Sequence, residues 1–375
     1  MENIHGLFAL ENKVLGKGSF GTVYLGTDLA NDKYVSLKKI PAEILADNQK
    51  LQALSNEILV SAGVENDNLV KILDLTEIDK DKYIVYEFCN GGDLRRYLKY
   101  FKRFEEKYIQ SFMIQILNGL NELHSKKIIH HDIKPENVLV ELKPYELNNN
   151  CSVEEKKKYE KIIDDILQAT NKKKQLDYYN DDNNFNEQNN KEYILNILLK
   201  SKIKVSDFGL SKYKDDNNEK MLSGSPLYMD PNLFKPNVEI KTIENEKVDI
   251  WAVGIFAYEL FTGKRPFNSP SQSLKELIEV LNVGKYTIDL KECKQISKQF
   301  LSFLNMCLQR PQELRPTVTE LQFSEFITRD SSKFDYINLN NFKEVNFPNE
   351  SYIGLNGVIH LNIDDKRSLN ASLDY

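Results

Sequence analysis

Residues Ile128 to Asn137 read IIHHDIKPEN. Three of the polar residues carry complementary chemistry. Asp132 offers a carboxylate that can orient or deprotonate a hydroxyl group. Lys134, two residues on, brings a cation that can neutralise charge developing beside it. Asn137 offers an amide oxygen to a hard cation. Further along, Lys204-Val205-Ser206-Asp207-Phe208-Gly209 places another carboxylate at the end of a strand-like run, just before a glycine. An amide oxygen and a carboxylate suit Mg²⁺, which keeps several waters and takes few protein ligands.

Upstream, Gly16-Lys17-Gly18-Ser19-Phe20-Gly21-Thr22-Val23 has the spacing G-x-G-x-x-G-x-V. Glycines let backbone N–H groups approach phosphate oxygens closely. Dinucleotide-binding folds use a similar string to open a helix. Here strand-like residues follow, Thr22 to Leu25, so the turn is expected to join two strands and cover phosphates as a flap. Val35-Ser36-Leu37-Lys38 follows on the next strand, where Lys38 can bind phosphate as a point charge. Glu57, on the helical stretch beyond, is the candidate to hold it. The competing reading is that both are surface charges, as most are.

Taken in order, these pieces resemble the eukaryotic Ser/Thr protein kinases over roughly residues 8–327. Asp249-Ile250-Trp251-Ala252-Val253-Gly254 is similar to the family's D-x-W-x-x-G helix, and Arg315 to its late arginine. The resemblance implies an α+β, two-lobed fold with a small sheet-rich N-lobe (8–88) and a larger helical C-lobe (89–327). It implies ATP and Mg²⁺ as cofactors and transfer of the γ-phosphoryl group to protein Ser/Thr hydroxyls. Gly16, Gly18, Gly21 and Val23 would cover the nucleotide. Lys38 would hold its phosphates and pair with Glu57. Glu87 and Cys89 would bond adenine through their backbones, with Tyr86 as gatekeeper behind and Asp93 near the ribose. Asp132 would be the catalytic base with Lys134 beside it, and Asn137 and Asp207 the metal ligands. Ser225, in Gly224-Ser225-Pro226-Leu227-Tyr228-Met229, would belong to the substrate-cradling segment and bond Asp132 or Lys134. Asp93, Glu136 and Glu259 lie where related kinases bind basic residues before the phosphoacceptor, which implies a weak preference for basic peptides. CNGGDLRRYL, HSKKIIH and SGSPLYM resemble the autophagy-initiating kinases, and calmodulin-dependent-like kinases share much of them.

Four departures stand out. His131 replaces an arginine that commonly binds a phosphate on the activation loop, and a neutral imidazole cannot form a bidentate charged clamp. The implied enzyme is active without phosphorylation of that loop, where Ser223 is the candidate phosphosite. Asn232 replaces the glutamate that usually pairs with the late arginine. Either Asn232 accepts a weaker hydrogen bond, or Arg315 is exposed or finds another carboxylate. Ser36 replaces an alanine beside adenine. Ser61, one helical turn after Glu57, replaces an apolar residue, which is expected to loosen that helix and leave room for activation by a partner. The alternative reading is a pseudokinase scaffold that binds nucleotide and partners. Against it stands the retained set Lys38, Glu57, Asp132, Asn137 and Asp207.

The wider composition fits a folded, water-exposed chain. The 375 residues are long for one core, and 41% hydrophobic residues suffice to build one. The net charge of −6, without a long basic stripe, argues against nucleic acid as a partner. The four cysteines lie far apart, which suggests a reducing compartment, and the first residues do not read as a signal peptide. No apolar run is long enough for a membrane span, so a cytoplasmic location is expected.

Along the chain, residues 7–40 read as strands around the glycine turn, 41–62 as helix, and 69–75 and 83–88 as strands. Helical spacing runs from Leu94 to His124. Residues 141–200 are rich in Asn, Lys, Asp and Tyr and read as a low-complexity insertion. Within it, Ser152-Val153-Glu154-Glu155 suggests a capping box before a stripe at Tyr159, Ile162, Ile163, Ile166 and Leu167. Tyr193 to Leu199 form a second apolar patch. Such patches either dock on the protein's own surface or bind a regulatory partner. Residues 328–375 read as a tail, the other candidate partner segment, with a hairpin expected at Asn356-Gly357.

Overall fold

The computed structural model describes residues 2–4, 7–18, 21–78, 81–142, 184–214, 224–234, 245–266, 287–288, 295–338, 342–346, 359–363 and 370–371. Its first part is a six-stranded antiparallel sheet: β1 (Glu2–Ile4), β2 (Phe8–Gly18), β3 (Gly21–Asp28), β4 (Lys33–Ile40), β5 (Ile72–Ile78) and β6 (Asp81–Glu87), in the order β1-β2-β3-β4-β6-β5. The glycine stretch does join two strands. Gly18 pairs with Gly21, and Gly16 with Val23. At Gly21 the backbone has φ +146°, and an added Cβ would lie 1.9 Å from the Lys39 carbonyl oxygen, so only glycine fits.

Alternation along β4 sets the two faces of the sheet. Val35 and Leu37 are buried with Phe8, Tyr83 and Val85 on one side, and strand geometry turns Ser36 and Lys38 to the other. Pro41 ends β4. The helical stretch that follows is broken into α1 (Ala42–Leu45) and α2 (Asn48–Gly63).

The predicted helical run from Leu94 to His124 is two helices, α3 (Leu94–Phe101) and α4 (Glu106–Ser125). The break falls at Lys102, whose φ of 69° takes the chain out of the helical region. Asp93 caps α3 by accepting from the Arg96 N–H at 3.0 Å. The helical part is organised around α6 (Lys247–Thr262), apolar on all sides and buried along almost its whole length. An added Cβ at Gly254 would meet Cys307 Cβ at 2.6 Å, so glycine permits the close approach of α7 (Lys298–Cys307).

After the short strand β7 (Ile128–Ile129), a two-stranded ladder, β8 (Val138–Glu141) with β9 (Lys202–Val205), carries the two candidate metal ligands at one end. Val138 pairs with Val205, and the Ser206 N–H donates to the Asn137 carbonyl at 2.8 Å. Glu141 pairs with Lys202 at the opposite end, where the segment read as an insertion in the sequence leaves and returns. A long connection there lengthens a loop at small entropic cost and leaves the ladder's other end alone.

Part of the insertion is described. Helix α5 (Asn184–Lys200) buries Ile194, Ile197 and Leu198 in the main core, so the Tyr193–Leu199 patch docks on the protein itself. The Ser152 capping box and the Tyr159–Leu167 stripe lie outside the described residues. In the tail, Tyr336–Asn338 pairs with Gln295–Ser297, and Phe342–Asn346 pairs antiparallel with Ile359–Ile363. The expected Asn356-Gly357 turn lies outside the described residues. Among the described residues no helix is long and apolar enough to cross a membrane.

Candidate active site

Asp132, Lys134, Asn137 and Ser225 converge in space. Asp132 is buried, and its carboxylate is held from several sides. Lys134 Nζ donates to Asp132 Oδ2 at 2.6 Å and to Ser225 Oγ at 2.7 Å. The Ser225 N–H donates to Asp132 Oδ1 at 3.0 Å, and Asn137 Nδ2 donates to Asp132 Oδ2 at 2.8 Å. Burial alone would raise the Asp132 carboxyl. The hydrogen bond and charge of Lys134 outweigh it, so the group titrates below its ordinary range and is ionised at neutral pH.

Below the loop, Asp249 on α6 acts as a brace. Its two oxygens accept the backbone N–H groups of His130 and His131, each at 2.9 Å. His131 has φ 67°, a left-handed conformation that costs a non-glycine residue energy and is held by this clamp. His124 Nε2 lies 2.9 Å from Asp249 Oδ2. Burial opposes ionisation of Asp249, but the His124 hydrogen bond and the nearby imidazoles take its pKa down to about 2.

The residues expected to face a nucleotide are also held by partners. Lys38 Nζ lies 2.6 and 2.8 Å from the two carboxylate oxygens of Glu57, so these buried groups are partners and not surface charges. The register pairs Lys38 with Val23, which itself faces Gly16. Sequence reasoning placed Tyr86 as a wall and missed its hydroxyl, which donates to Glu57 Oε1 at 2.5 Å. Burial and the Glu57 charge push the phenol far above its usual range, so it remains a donor at any working pH. Ser36 is half-buried opposite Tyr86 in the ladder.

Glu87 turns its carboxylate to buried Lys204, with both oxygens 2.9 Å from Nζ, and to the Lys71 N–H at 2.7 Å. Its backbone N–H is committed as well, donating to the Lys71 carbonyl at 3.1 Å. Cys89 is buried, and burial together with the Glu87 charge pushes its thiol up to about 12, which makes it inert as a nucleophile. Asp93 lies beside the β8 strand and pairs with Arg96 Nε at 3.0 Å. Burial raises its carboxyl despite the Arg96 charge.

Asp207 sits exposed, with φ 66°, directly after the β9 end, where it shares the ladder terminus with Asn137. Because Asn137 Nδ2 is committed to Asp132, its Oδ1 is the end left for a cation. One carboxylate and one amide oxygen form a hard donor set of the kind Mg²⁺ accepts. Phe208 is buried in one core with Val60 of α2 and Val64 just beyond its end, and its ring meets His130 edge-on with centroids 5.6 Å apart. Ser61 is also buried, and its hydroxyl has no hydrogen-bond partner among the described residues.

The fate of Arg315 is settled by a neighbour of the position first suspected. Arg315 is 1% exposed. Its Nη1 donates to Asp230 Oδ2, and Nη2 donates to Oδ1 at 3.0 Å. Its guanidinium also lies over the Trp251 ring, 4.9 Å from the centroid. The missing carboxylate has moved two residues, from 232 to 230. Asn232 supports it, donating to Asp230 Oδ1 from its backbone N–H and from Nδ2, each at 2.9 Å.

A family model described as the protein kinase domain matches residues 10–183 and 194–327. The chain belongs to the protein kinase family. Its curated relatives include mitogen-activated protein kinase kinase kinase 2 of Arabidopsis thaliana, 27% identical over 85% of this chain and 40% of that protein. A putative serine/threonine-protein kinase R517/R518 of Acanthamoeba polyphaga mimivirus is 30% identical over 73% of the chain and 53% of its own length. Human serine/threonine-protein kinase ULK1 is 29% identical over 71% and 20%. The chain therefore spans between a fifth and about half of these relatives.

Proposed function

We propose that this kinase domain transfers the γ-phosphoryl group of ATP to Ser or Thr hydroxyls of proteins, with Mg²⁺ as the metal, and needs no prior phosphorylation of its activation loop. The observation that carries the reading is Lys134 bridging Asp132 and Ser225 while the Lys38–Glu57 pair is closed. Asp132, ionised and fixed by three neighbours, accepts the proton of an incoming hydroxyl. Lys134 neutralises charge on the transferred group, and Lys38, oriented by Glu57 and Tyr86, holds the phosphates behind it. A divalent cation bound by Asn137 and Asp207 would supply further charge neutralisation there. Catalysis of this kind is positioning and electrostatic stabilisation.

Loop independence is supported by the same contacts, which form between unmodified residues, and by His131, which is held through its backbone and not through a phosphate clamp. Ser223 lies outside the described residues. In this reading the domain spans 8–327, with its lobes meeting near 88–89, an insertion at 141–200 and a tail at 328–375. Regulatory partners would use the tail or the part of the insertion not consumed by α5. The separated cysteines support a cytoplasmic protein, and the kinase domain supports one that acts on other proteins.

The test is phosphate transfer from Mg²⁺·ATP to a generic Ser/Thr protein substrate by phosphatase-treated enzyme, with Asp132→Asn as the blank. Transfer that is absent from the blank supports the proposal. Nucleotide binding without transfer would replace it with the scaffold reading or with an enzyme that requires an activating partner.

A further inference from the structure

Beside the catalytic carboxylate lies an acidic recess built from three elements. Glu136 sits in the catalytic loop, between Lys134 and Asn137. Glu259 comes from α6 and is almost fully buried. Tyr228 ends the short turn that begins after Ser225, the residue bonded to Lys134. A substrate chain that places its hydroxyl at Asp132 must run past these groups. Carboxylates in such a place, if open, would select a cationic substrate residue.

They are not open. Arg95, on the first turn of α3, occupies the recess from within. Its Nε donates to Glu136 Oε1 at 2.8 Å and Nη2 to Glu136 Oε2 at 3.3 Å. On Glu259, Nη1 meets Oε1 at 2.7 Å and Nη2 meets Oε2 at 3.1 Å. Nη2 also donates to Tyr228 Oη at 2.6 Å, and Tyr228 Oη donates to Glu259 Oε2. Arg265 Nε stands 3.8 Å from Glu259 Oε1. The third carboxylate of the neighbourhood, Asp93, is bound by Arg96. Three guanidinium groups thus face three carboxylates, and the recess presents no net negative charge.

We propose that Arg95 is an internal occupant that sets substrate selectivity, turning a site of the acidic type into one that does not select arginine or lysine before the phosphoacceptor. The substrates are Ser/Thr segments that need no arginine or lysine before the phosphoacceptor. This reverses the basic preference that Asp93, Glu136 and Glu259 suggest in the sequence, and it rests on the kinase reading above. A substrate arginine would have to displace a fork already paired on both sides, whereas an intramolecular fork is present at every encounter.

The experiment is a positional-scanning Ser/Thr peptide library phosphorylated by full-length wild type, Arg95→Ala and Glu136→Gln. The same arginine and alanine peptides are used in thermal-shift binding. Wild type is expected to show a flat profile for arginine before the acceptor, unchanged in Glu136→Gln. Arg95→Ala should gain about a tenfold preference in kcat/KM for arginine there, and the arginine peptide should raise the Tm of that variant alone. Arginine selection by wild type that disappears in Glu136→Gln would overturn the proposal. So would an active Arg95→Ala enzyme without the gain. Should Arg95→Ala fail to fold, the flat or selective profiles of wild type and Glu136→Gln still decide the question. Should wild type transfer phosphate to no substrate, the proposed unassisted transfer fails, and the thermal-shift arm decides whether Arg95 fills the recess.

Discussion

Asp230 is the residue whose removal should cost this domain most outside the catalytic loop. It holds Arg315, whose guanidinium has essentially no solvent exposure, and it accepts two bonds from Asn232 and one from Gln312 Nε2 at 3.3 Å. A buried ion pair contributes little net stability over an apolar replacement, because desolvation of both charges offsets their attraction. Removing one partner is different: the other charge stays buried with nothing to balance it. Asp230→Ala should therefore cost about 3–5 kcal/mol. For a domain of this size that is a fall in Tm of about 4–8 °C. Arg315 would retain the carbonyls of Gln309 at 2.6 Å and Lys247 at 3.1 Å, which keeps the cost from rising further. The double substitution Asp230→Ala/Asn232→Glu returns a carboxylate to the neighbouring position, within reach of the same arginine. It should recover more than half of the loss, whereas Asn232→Glu alone adds a second buried carboxylate beside Asp230 and destabilises. The assay is urea unfolding of the full chain for the four members of this cycle. A loss below about 1 kcal/mol for Asp230→Ala, or no coupling between the two positions, would refute the reasoning.

Two further outcomes are expected. Tyr86→Phe removes only the hydroxyl bonded to Glu57, so it should leave ATP KM nearly unchanged and lower kcat about tenfold, the scale of one hydrogen bond to a charged group; steady-state kinetics with varied ATP read it, and an unchanged kcat would remove Tyr86 from the positioning machinery. Glu106, at the start of α4, accepts from Ser297 N–H at 2.8 Å and from Ser297 Oγ, yet burial raises its carboxyl to about 7. A folded-state pKa above the unfolded one means that the folded protein binds the extra proton, so stability is highest at acid pH and falls as pH rises from about 4.5 through 7. The loss attributable to Glu106 between pH 5 and pH 8 is about 2–3 kcal/mol. Glu106→Gln should flatten that slope in Tm measured against pH, and an unchanged slope would assign it to other groups.

Much of the site was legible because it depends on local spacing. Gly16, Gly18 and Gly21 read as a turn between strands because strand-like residues, Thr22 to Leu25, follow them, and the Gly21 position tolerates no Cβ. Asn137 and Asp207 read as a pair because each adjoins a strand end, although the insertion separates them widely in sequence. The helical run from Leu94 to His124 was legible in its period but not in its break, since Lys102 takes a positive φ without glycine to announce it. Tyr86 was legible as a bulky wall. Its hydroxyl bond was not, because nothing in the spacing shows which way a phenol on β6 meets a carboxylate on α2.

The two least legible features share one cause. A sequence motif names a position, while an ion pair is chosen by distance across the fold. Asn232 marked a missing carboxylate, and Asp230 stood two letters away, but only the turn Pro231–Phe234 and the path of Arg315 show that residue 230 points at the guanidinium. Glu136 and Glu259 marked an acidic recess, and Arg95 lay among the residues quoted for the family resemblance, yet its partners are far along the chain. In both places a buried or half-buried guanidinium finds carboxylates that sequence order alone does not point to. At Arg315 this choice of partner preserves the pairing, so the fold is maintained. At Arg95 it consumes the pairing that a substrate would otherwise use, so the same kind of change that is silent for stability becomes decisive for selectivity.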